Sequence, residues 1–389
     1  MSRIKSLFLV VILSVVITIS VFFARPRGLE GHQRQTKSFK LDLCHCTRSL
    51  TIPMIQPISR NMYHSKTTEE VNNNNYTILT ILRPEVEFNS TTCGRDAYQR
   101  GSHQKVLGFS FYGNTNSSSH KRKQYFHGIE ENIKKMTELY GEDWVMRLYY
   151  DLEPTDQQLM SQLCDLACAN NNLDLCNIRA LPGTPVSDAT EIFAMNWRFF
   201  PTLDPQVDIY LCRDLDSRPS QREVAAVREW LRSGLAIHSM RDNPAHDIPL
   251  LGASWGARLN TEAGSARTLW AGSWAGILRD NLTYADRDAR GPDQTILTVH
   301  VWPWARSQAL QHDSYTCDET KFLREHHCVL ISIHLFRCAR FPGSIGFPTQ
   351  RLNETNNFVA SVVSENPKLW KICPNKCRRK GHEADWEYC

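Results

Sequence analysis

The stretch VDIYLCRDLDSRPSQREVAAVREW, residues 207–230, decides the fold. Its first six residues, 207–212, are apolar or β-branched at most positions and predict a buried strand. Two aspartates, Asp214 and Asp216, follow that strand directly, and a helical pattern begins a few residues later. In open α/β sheets, ligands bind outside the carboxyl ends of the strands. The two carboxylates therefore stand where such a sheet would bind a ligand.

Strands and helices alternate on both sides of this stretch. Short apolar runs predict further strands at 106–114, 144–151, 173–181 and 235–240, and helical spacing predicts helices at 125–141 and 156–167. After the aspartates, Ser220-x-x-Glu223 is a capping box that starts a helix, and Gly234 ends it. This order predicts an α/β fold: a Rossmann-related, mostly parallel sheet with helices on both faces.

The N-terminus carries one long apolar segment. Leu7 to Ala24 reads LFLVVILSVVITISVFFA and contains no charge, Pro or Gly. A helix of this length spans about 27 Å, close to the hydrocarbon thickness of an ER-type membrane. We expect a single transmembrane signal anchor at 7–24 behind a cytoplasmic tail, 1–6. A cleaved signal peptide is the alternative, although no clear small-x-small cleavage site follows the segment.

Glycosylation sequons and cysteines indicate the compartment. The five Asn-x-Ser/Thr sequons begin at Asn75, Asn89, Asn116, Asn281 and Asn353, and the chain has thirteen cysteines. Both features favour a lumenal or extracellular location for most of the chain. With the anchor, they predict a single-pass type II glycoprotein of the Golgi or ER membrane. Because the cysteine count is odd, at least one thiol is free or forms an intermolecular bond.

The rest of the chain divides by composition. Residues 25–104 are polar and irregular, apart from a strand-like run at 76–88, and we interpret them as a lumenal stem. A catalytic domain follows at 105–350, and a cysteine-containing extension at 351–389. In that extension Cys373, Cys377 and His382 suggest either zinc or a disulfide, and an oxidising lumen favours the disulfide. A net charge of +4 is too small to indicate a nucleic-acid partner.

The chemistry of the aspartate pair points to a cation. Two carboxylates this close repel each other unless a cation lies between them or one is protonated. Mg²⁺ and Mn²⁺ prefer oxygen ligands, commonly one or two carboxylates with phosphate oxygens and water. This ligand set fits an enzyme that handles a nucleoside diphosphate. In the alternative interpretation the aspartates pair with Arg213 and Arg218 or cap the helix.

Four segments carry a resemblance to a known type of domain: RDLDSR, QREVAAVREW, HSMRDNPAH and LLGASWG. They resemble a poorly characterised group of GT-A-type glycosyltransferase-like domains with an Asp-x-Asp motif in this context. The resemblance extends from about Val106 to Cys317 and is strongest over 213–256. It implies a GT-A-like fold in which Mn²⁺ or Mg²⁺ bridges the motif and the diphosphate of a nucleotide-sugar donor. The sugar would pass to a glycan, glycoprotein or glycolipid acceptor.

The resemblance also implies roles for single residues. The metal ligands would be Asp214, Asp216 and, as the third, His312. Asp242, Asp293 and Gln294 would be catalytic. The donor would contact the remaining candidates, which are Tyr112, Gly113, Arg213, Arg241, Trp255 and Gly256, with Gly252 in the same substrate loop as the last two.

Several of these residues have a structural alternative. Arg241 and Asp242 would otherwise form a surface ion pair, Trp255 would belong to the core, and Asp293 would be a helix N-cap.

Two other functions remain open at this point. One is a phosphatase whose two aspartates provide nucleophile and acid, but that chemistry normally has Thr or Ser where this chain has Arg218. The other is a non-enzymatic binding protein on a transferase scaffold. The donor sugar, the acceptor and the stereochemistry of transfer are not decided by the sequence.

Overall fold

The computed structural model describes residues 34–40, 44, 46–53, 91–112, 119–153, 155–182, 188–260, 265–281, 291–317, 343–351, 358–362 and 372–388. All of these except Arg34 belong to one compact unit, Gln35–Cys389. The expected anchor at 7–24, the strand-like run at 76–88 and Gly113 lie outside the described residues. Within them, no helix combines the length and the apolar character needed to cross a membrane.

The strands form two sheets. A two-stranded sheet consists of β1 (Arg34–Lys40) and β2 (Thr47–Pro53). The main sheet has seven strands, in the order β5-β4-β3-β6-β8-β7-β9. Their bounds are β3 (Gln104–Phe111), β4 (Trp144–Tyr150), β5 (Leu173–Asn177), β6 (Val207–Cys212), β7 (Ile237–Arg241), β8 (Trp255–Arg258) and β9 (Ala309–Asp313).

The main sheet is mixed, whereas the sequence predicted a mostly parallel sheet. The pairs β3–β4, β4–β5, β3–β6 and β7–β9 are parallel. The short strand β8 is antiparallel to both of its neighbours, β6 and β7. The sequence predicted a loop here, because four residues give too short a run to show strand periodicity.

Helices follow the strands. They are α1 (Arg95–Gln99), α2 (Ser119–Tyr140), α3 (Gln157–Ala169), α4 (Gln221–Ser233), α5 (Ser265–Asn281), α6 (Pro292–Ile296) and α7 (Trp302–Ala305), and a 3₁₀-helix covers Ala194–Leu203. The capping box is present: the Ser220 hydroxyl accepts a hydrogen bond from the backbone N–H of Glu223. Gly234 ends α4 with φ of 75°, a backbone conformation that favours glycine.

Two apolar clusters cover the two faces of the main sheet. Neighbouring residues of one strand divide between them, as Val106 and Leu107 of β3 do. One cluster includes side chains from α2, α3 and α4, and the other includes the tryptophans of α5 and the phenylalanines of the 3₁₀-helix. Helical elements therefore pack on both faces, as the alternating pattern predicted.

The predicted stem contains a part of the folded domain. Thr91, Thr92 and Cys93 are buried, and Cys93 forms a disulfide with Cys176 of β5. Further upstream, Cys44 and Cys46 form disulfides with α3. Buried side chains and disulfides therefore connect residues before the predicted boundary at 105 to the sheet, as in a stem that is docked on the domain in part.

Contacts also cross the predicted boundary at residue 350. Arg351 is buried and donates a hydrogen bond to the carbonyl of Asp242, and the backbone N–H of Val359 donates one to the Asp242 carboxylate. Val362 forms an isolated antiparallel bridge with Ser217, three residues after Asp214. The start of the predicted extension is thus packed against the segment that carries the aspartates.

Candidate active site

A cleft of about 530 Å³ opens at the carboxyl ends of β3 and β6. These strands are parallel neighbours, and the chain continues from β3 to β4 on the opposite side of β3 from β6. The cleft thus lies at a topological switch point, where open α/β sheets bind ligands. Its polar lining side chains are Ser110, Tyr112, Tyr125, Arg198, Asp214, Asp216, His246, Ser254, Asp293 and Gln294.

The motif aspartates both line this cleft, as their position after β6 predicted. The side chain of Asp214 is 44% exposed, and that of Asp216 is partly buried. Leu215 between them also lines the cleft and packs into the apolar cluster with α2 and α4. The turn after β6 thus presents both carboxylates to the cleft while Leu215 fixes the turn to the core.

The arginines that flank the aspartates in sequence pair elsewhere. Arg213 is buried and donates a 2.8 Å hydrogen bond to Glu223 of α4. Arg218 donates one of 2.7 Å to Glu131 of α2. The alternative in which these two arginines hold the aspartates is therefore not the arrangement that the structure has.

Arg198 of the 3₁₀-helix is the arginine that reaches Asp214. Its Nη1 contacts the Asp214 carboxylate, and its Nη2 donates a 2.7 Å hydrogen bond to Asp293. The Arg198 side chain is only 4% exposed. One buried guanidinium thus joins the first motif carboxylate to a carboxylate on α6.

Backbone contacts fix Arg198 in this position. Its N–H donates to the Ser110 hydroxyl at 3.1 Å, and its carbonyl accepts from the Tyr210 hydroxyl at 2.6 Å. A side chain at Gly108 would lie 2.5 Å from that carbonyl and 2.9 Å from the Tyr210 ring. Glycine on β3 therefore allows the 3₁₀-helix to approach the sheet.

Gly252 provides the second close approach. A Cβ atom there would collide with the Asp293 carboxylate and would lie 2.8 Å from Arg198 Nη2. The sequence singled out Gly252 as part of a loop close to substrate. In the structure it lines the cleft, and its lack of a side chain makes room for the ion pair.

Asp293 and Gln294 enter the cleft from the start of α6. Gly291 precedes the helix with φ of 102°, and Asp293 lies in its first turn, where a carboxylate is favoured by the helix dipole. Asp293 is buried. It is thus inside the helix instead of at the N-cap, and its side chain binds Arg198.

His246 also lines the cleft, and sequence reasoning did not select it. Burial lowers its pKa to about 4, so the imidazole is neutral near pH 7. Its buried Nδ1 has no hydrogen-bond partner among the described residues. The signal was available in part, since His246 ends the segment HSMRDNPAH that carries the resemblance.

Four charged side chains belong to the described lining of the cleft. They are three carboxylates, Asp214, Asp216 and Asp293, and one guanidinium, Arg198. Arg198 contacts both Asp214 and Asp293. An anionic ligand that approaches these carboxylates would be bound more favourably with a cation between them.

Trp255 and Gly256 do not line the cleft. Both are in β8 and buried, and the Trp255 ring stacks on Trp270 of α5 with ring centroids 5.2 Å apart. A side chain at Gly256 would meet Leu211 at 2.7 Å. These residues thus belong to the core, which is one of the two interpretations that the sequence left open for Trp255.

Arg241 and Asp242 are fully buried outside the described cleft lining, so they do not form the surface ion pair that was the alternative to donor binding. Arg241 donates a 2.6 Å hydrogen bond to Asp313 of β9. Asp242 accepts hydrogen bonds from Arg222 and Arg351. Asp242 thus connects α4 to the segment around Val359, which leads to the cleft wall at Ala360 and Val362.

His312 is not brought to the aspartates within the described cleft lining. It is buried on β9, where its Nδ1 lies 2.9 Å from His238 Nε2 and its Nε2 lies 3.1 Å from the Glu229 carboxylate. Arg379 also binds Glu229, at 2.6 Å. With both ring nitrogens in hydrogen bonds, His312 connects β9, α4 and the C-terminal segment.

A group of Asp313, Cys317 and Cys377 is close enough to hold an ion. However, Cys317 and Cys377 form a disulfide, and the Asp313 carboxylate accepts hydrogen bonds from Arg241 and the Tyr315 N–H. Cys373 is disulfide-bonded too. The described cysteines of the extension thus favour the disulfide over zinc. Elsewhere, the buried Cys212 of β6 is a free thiol.

A second hollow, of about 590 Å³, lies beside α4 and is lined by Arg228, Glu229, Arg232, Leu310 and Arg379 among others. No residue predicted for the site lines it.

Comparison of the chain with known proteins finds no family model and no curated protein that matches it.

Proposed function

We propose that this protein is a metal-dependent glycosyltransferase that moves a sugar from a nucleotide-diphosphate-sugar donor to a glycan, protein or lipid acceptor in the secretory pathway. One observation carries the proposal. Asp214 and Asp216 share a cleft with Asp293, Gln294 and Tyr112, at the switch point of an α/β sheet.

The lining of the cleft fits a divalent cation. Asp214 and Asp216 both line the cleft and offer carboxylate oxygens, which Mg²⁺ and Mn²⁺ prefer. Phosphate oxygens and water would complete the ligand set, without His312. When bound, the ion would neutralise the charge that develops on the departing diphosphate.

The other lining residues suit a sugar. The Asp293 carboxylate can accept hydrogen bonds from sugar hydroxyls, and the Gln294 amide can both accept and donate them. Arg198 holds the Asp293 carboxylate in one orientation. Tyr112 and Tyr125 offer aromatic faces to a base or a sugar ring. His246, neutral near pH 7, can accept a hydrogen bond from an acceptor hydroxyl.

A lumenal location is part of the proposal. The described residues contain four complete disulfides, Cys44–Cys164, Cys46–Cys168, Cys93–Cys176 and Cys317–Cys377, and such bonds persist in oxidising compartments. We propose a type II protein anchored through residues 7–24. Expressed in animal cells, it should stay with the membranes after a carbonate wash and carry N-glycans. A secreted form that begins near Arg25 would support a cleaved signal instead.

Two rival functions are less well supported. A phosphatase of the Asp-x-Asp type needs Thr or Ser where Arg218 binds Glu131. A non-enzymatic binding protein would need no metal, yet the cleft presents two neighbouring carboxylates that suit a divalent cation. Neither rival accounts for both features.

The test uses the lumenal chain, residues 25–389, which lacks the expected anchor. It is screened for hydrolysis of common nucleotide sugars in the presence of Mn²⁺. We expect turnover that Asp214→Asn and Asp216→Asn each abolish. Asp143→Asn is the matched control, because Asp143 is 41% exposed and pairs with Lys105 outside the described cleft lining. Equal turnover in all three variants, or none with any donor in the parent chain, would contradict the proposal.

A further inference from the structure

Arg198 and a divalent cation would compete for the same carboxylate. The guanidinium already contacts Asp214, the first residue of the motif, from a position that is 4% exposed. Its backbone is held by Ser110 and Tyr210, and its Nη2 is bonded to Asp293, so the positive charge is anchored at the cleft. A fixed positive charge thus stands beside the carboxylates that we propose as metal ligands.

We infer that Arg198 makes the binding of the divalent cation and of the diphosphate interdependent: it weakens cation binding to the empty cleft, and the diphosphate removes this effect. The inference rests on the proposed function. Without an anion, the guanidinium repels the ion and engages one of its ligands. An anion that pairs with Arg198 releases Asp214 to the ion and attracts the ion itself.

The arrangement of the guanidinium supports this role. Arg198 uses Nη1 for Asp214 and Nη2 for Asp293, while its buried Nε has no hydrogen-bond partner among the described residues. A planar guanidinium is well suited to phosphate, since its donors match two phosphate oxygens at once. Arg198 therefore has the charge and the hydrogen-bonding capacity to change partner from Asp214 to the ligand.

The size of the effect follows from Coulomb's law. Single and double positive charges about 5 Å apart repel each other by an amount that corresponds to roughly a tenfold change in affinity, even with water-like screening. By thermodynamic linkage, the diphosphate must strengthen cation binding by the same factor by which the cation strengthens diphosphate binding. Removal of Arg198 should reduce that shared factor.

The experiment measures Mn²⁺ binding to the lumenal chain by the paramagnetic resonance of the free ion, with and without a nucleoside diphosphate from a panel of uridine, guanosine, cytidine and adenosine diphosphates. We expect Arg198→Gln to bind Mn²⁺ alone about tenfold more tightly than the parent chain. The gain in Mn²⁺ affinity on adding the diphosphate should shrink by a similar factor. Arg198→Lys, which keeps the charge, should resemble the parent in its affinity for Mn²⁺ alone.

Two further comparisons separate this role from a structural one. Arg147→Gln is the matched control, because Arg147 is a buried arginine bonded to Asp204 away from the described cleft lining, and its loss should leave Mn²⁺ affinity unchanged. If the single Arg198→Gln variant folds poorly, Asp293→Asn is compared with the double variant Arg198→Gln/Asp293→Asn. This comparison isolates the effect of the arginine on Mn²⁺ affinity, because the Asp293 carboxylate is absent from both variants and cannot be left buried and unpaired.

The outcomes are distinguishable. If the parent chain binds no Mn²⁺ with any of the diphosphates, the proposed metal site fails and this inference fails with it. If the parent binds Mn²⁺ but the loss of Arg198 leaves that affinity unchanged or weaker, in both the single and the double comparison, the proposed function survives and the inference is overturned.

Discussion

Arg198 and Asp293 are 95 residues apart in the chain, yet their side chains form a 2.7 Å hydrogen bond in the floor of the cleft. Both side chains are almost fully buried. A buried ion pair becomes costly when one member is removed, because the other is left as an uncompensated charge. This relationship between the 3₁₀-helix and α6 therefore sets both the shape and the stability of the site.

The first prediction concerns that pair. Asp293→Asn should lower the free energy of unfolding by about 2–4 kcal/mol, since it leaves the buried Arg198 with Asp214 as its remaining charged partner. Asp143→Asn, which breaks an exposed pair with Lys105, should cost less than about 1 kcal/mol. Denaturant unfolding with intact disulfides measures both. Equal losses would show that the Arg198–Asp293 pair contributes no more than a surface contact.

The second prediction compares two glycines. Gly252→Ala should destabilise the domain by about 1–3 kcal/mol, because the added methyl group overlaps the Asp293 carboxylate and crowds Arg198. Gly272→Ala should instead stabilise it by up to about 1 kcal/mol, since Gly272 is exposed within α5 and has open space around its Cα. Thermal unfolding of the two variants should therefore shift in opposite directions. A gain in stability for Gly252→Ala would contradict the close approach.

The third prediction concerns pH. Burial lowers the pKa of His246 from 6.5 to about 4. Between these values the unfolded chain binds a proton that the folded chain does not, so the folded state loses stability as pH falls from 6.5 toward 4. His246→Gln should make this loss smaller, by at most about 1.4 kcal/mol per pH unit.

Unfolding free energies of the parent and the variant between pH 7 and pH 5 test this expectation. His127→Gln is the comparison, because His127 is 67% exposed on α2 instead of buried, and its replacement should change the slope less than His246→Gln does. If His246→Gln has the parent slope, His246 is not the buried neutral group that we describe.

The fourth prediction concerns the start of the domain. A chain beginning at Gly101 should be insoluble or strongly destabilised, because it lacks Thr91 and Thr92, which donate hydrogen bonds to the buried Asp204. It also lacks the Cys93–Cys176 disulfide, whose loss typically costs about 2–5 kcal/mol. A chain beginning at Arg34 keeps these contacts and should fold. Similar melting temperatures for the two chains would show that the folded domain begins near residue 105.

The amino-acid sequence by itself determined the local elements that position the motif. The apolar run at 207–212 is β6, the capping box and Gly234 bound α4, and the two aspartates lie in the cleft that their position at a strand end predicted. These features depend on residues within a few positions of each other, through strand periodicity and capping hydrogen bonds. Such short-range determinants can be recognised in one sequence without knowledge of the fold.

Only the tertiary structure decided which distant side chains meet the aspartates. Arg198, His246, Ala360 and Val362 line the cleft although they are far from the aspartates in sequence. They meet there because the segments that carry them pack at the carboxyl ends of β3 and β6. The same packing directs Arg241, Asp242 and His312 into buried hydrogen bonds outside the described cleft lining. A charged side chain finds its partner through the pairing of strands far apart in sequence, and that pairing leaves no local pattern to read.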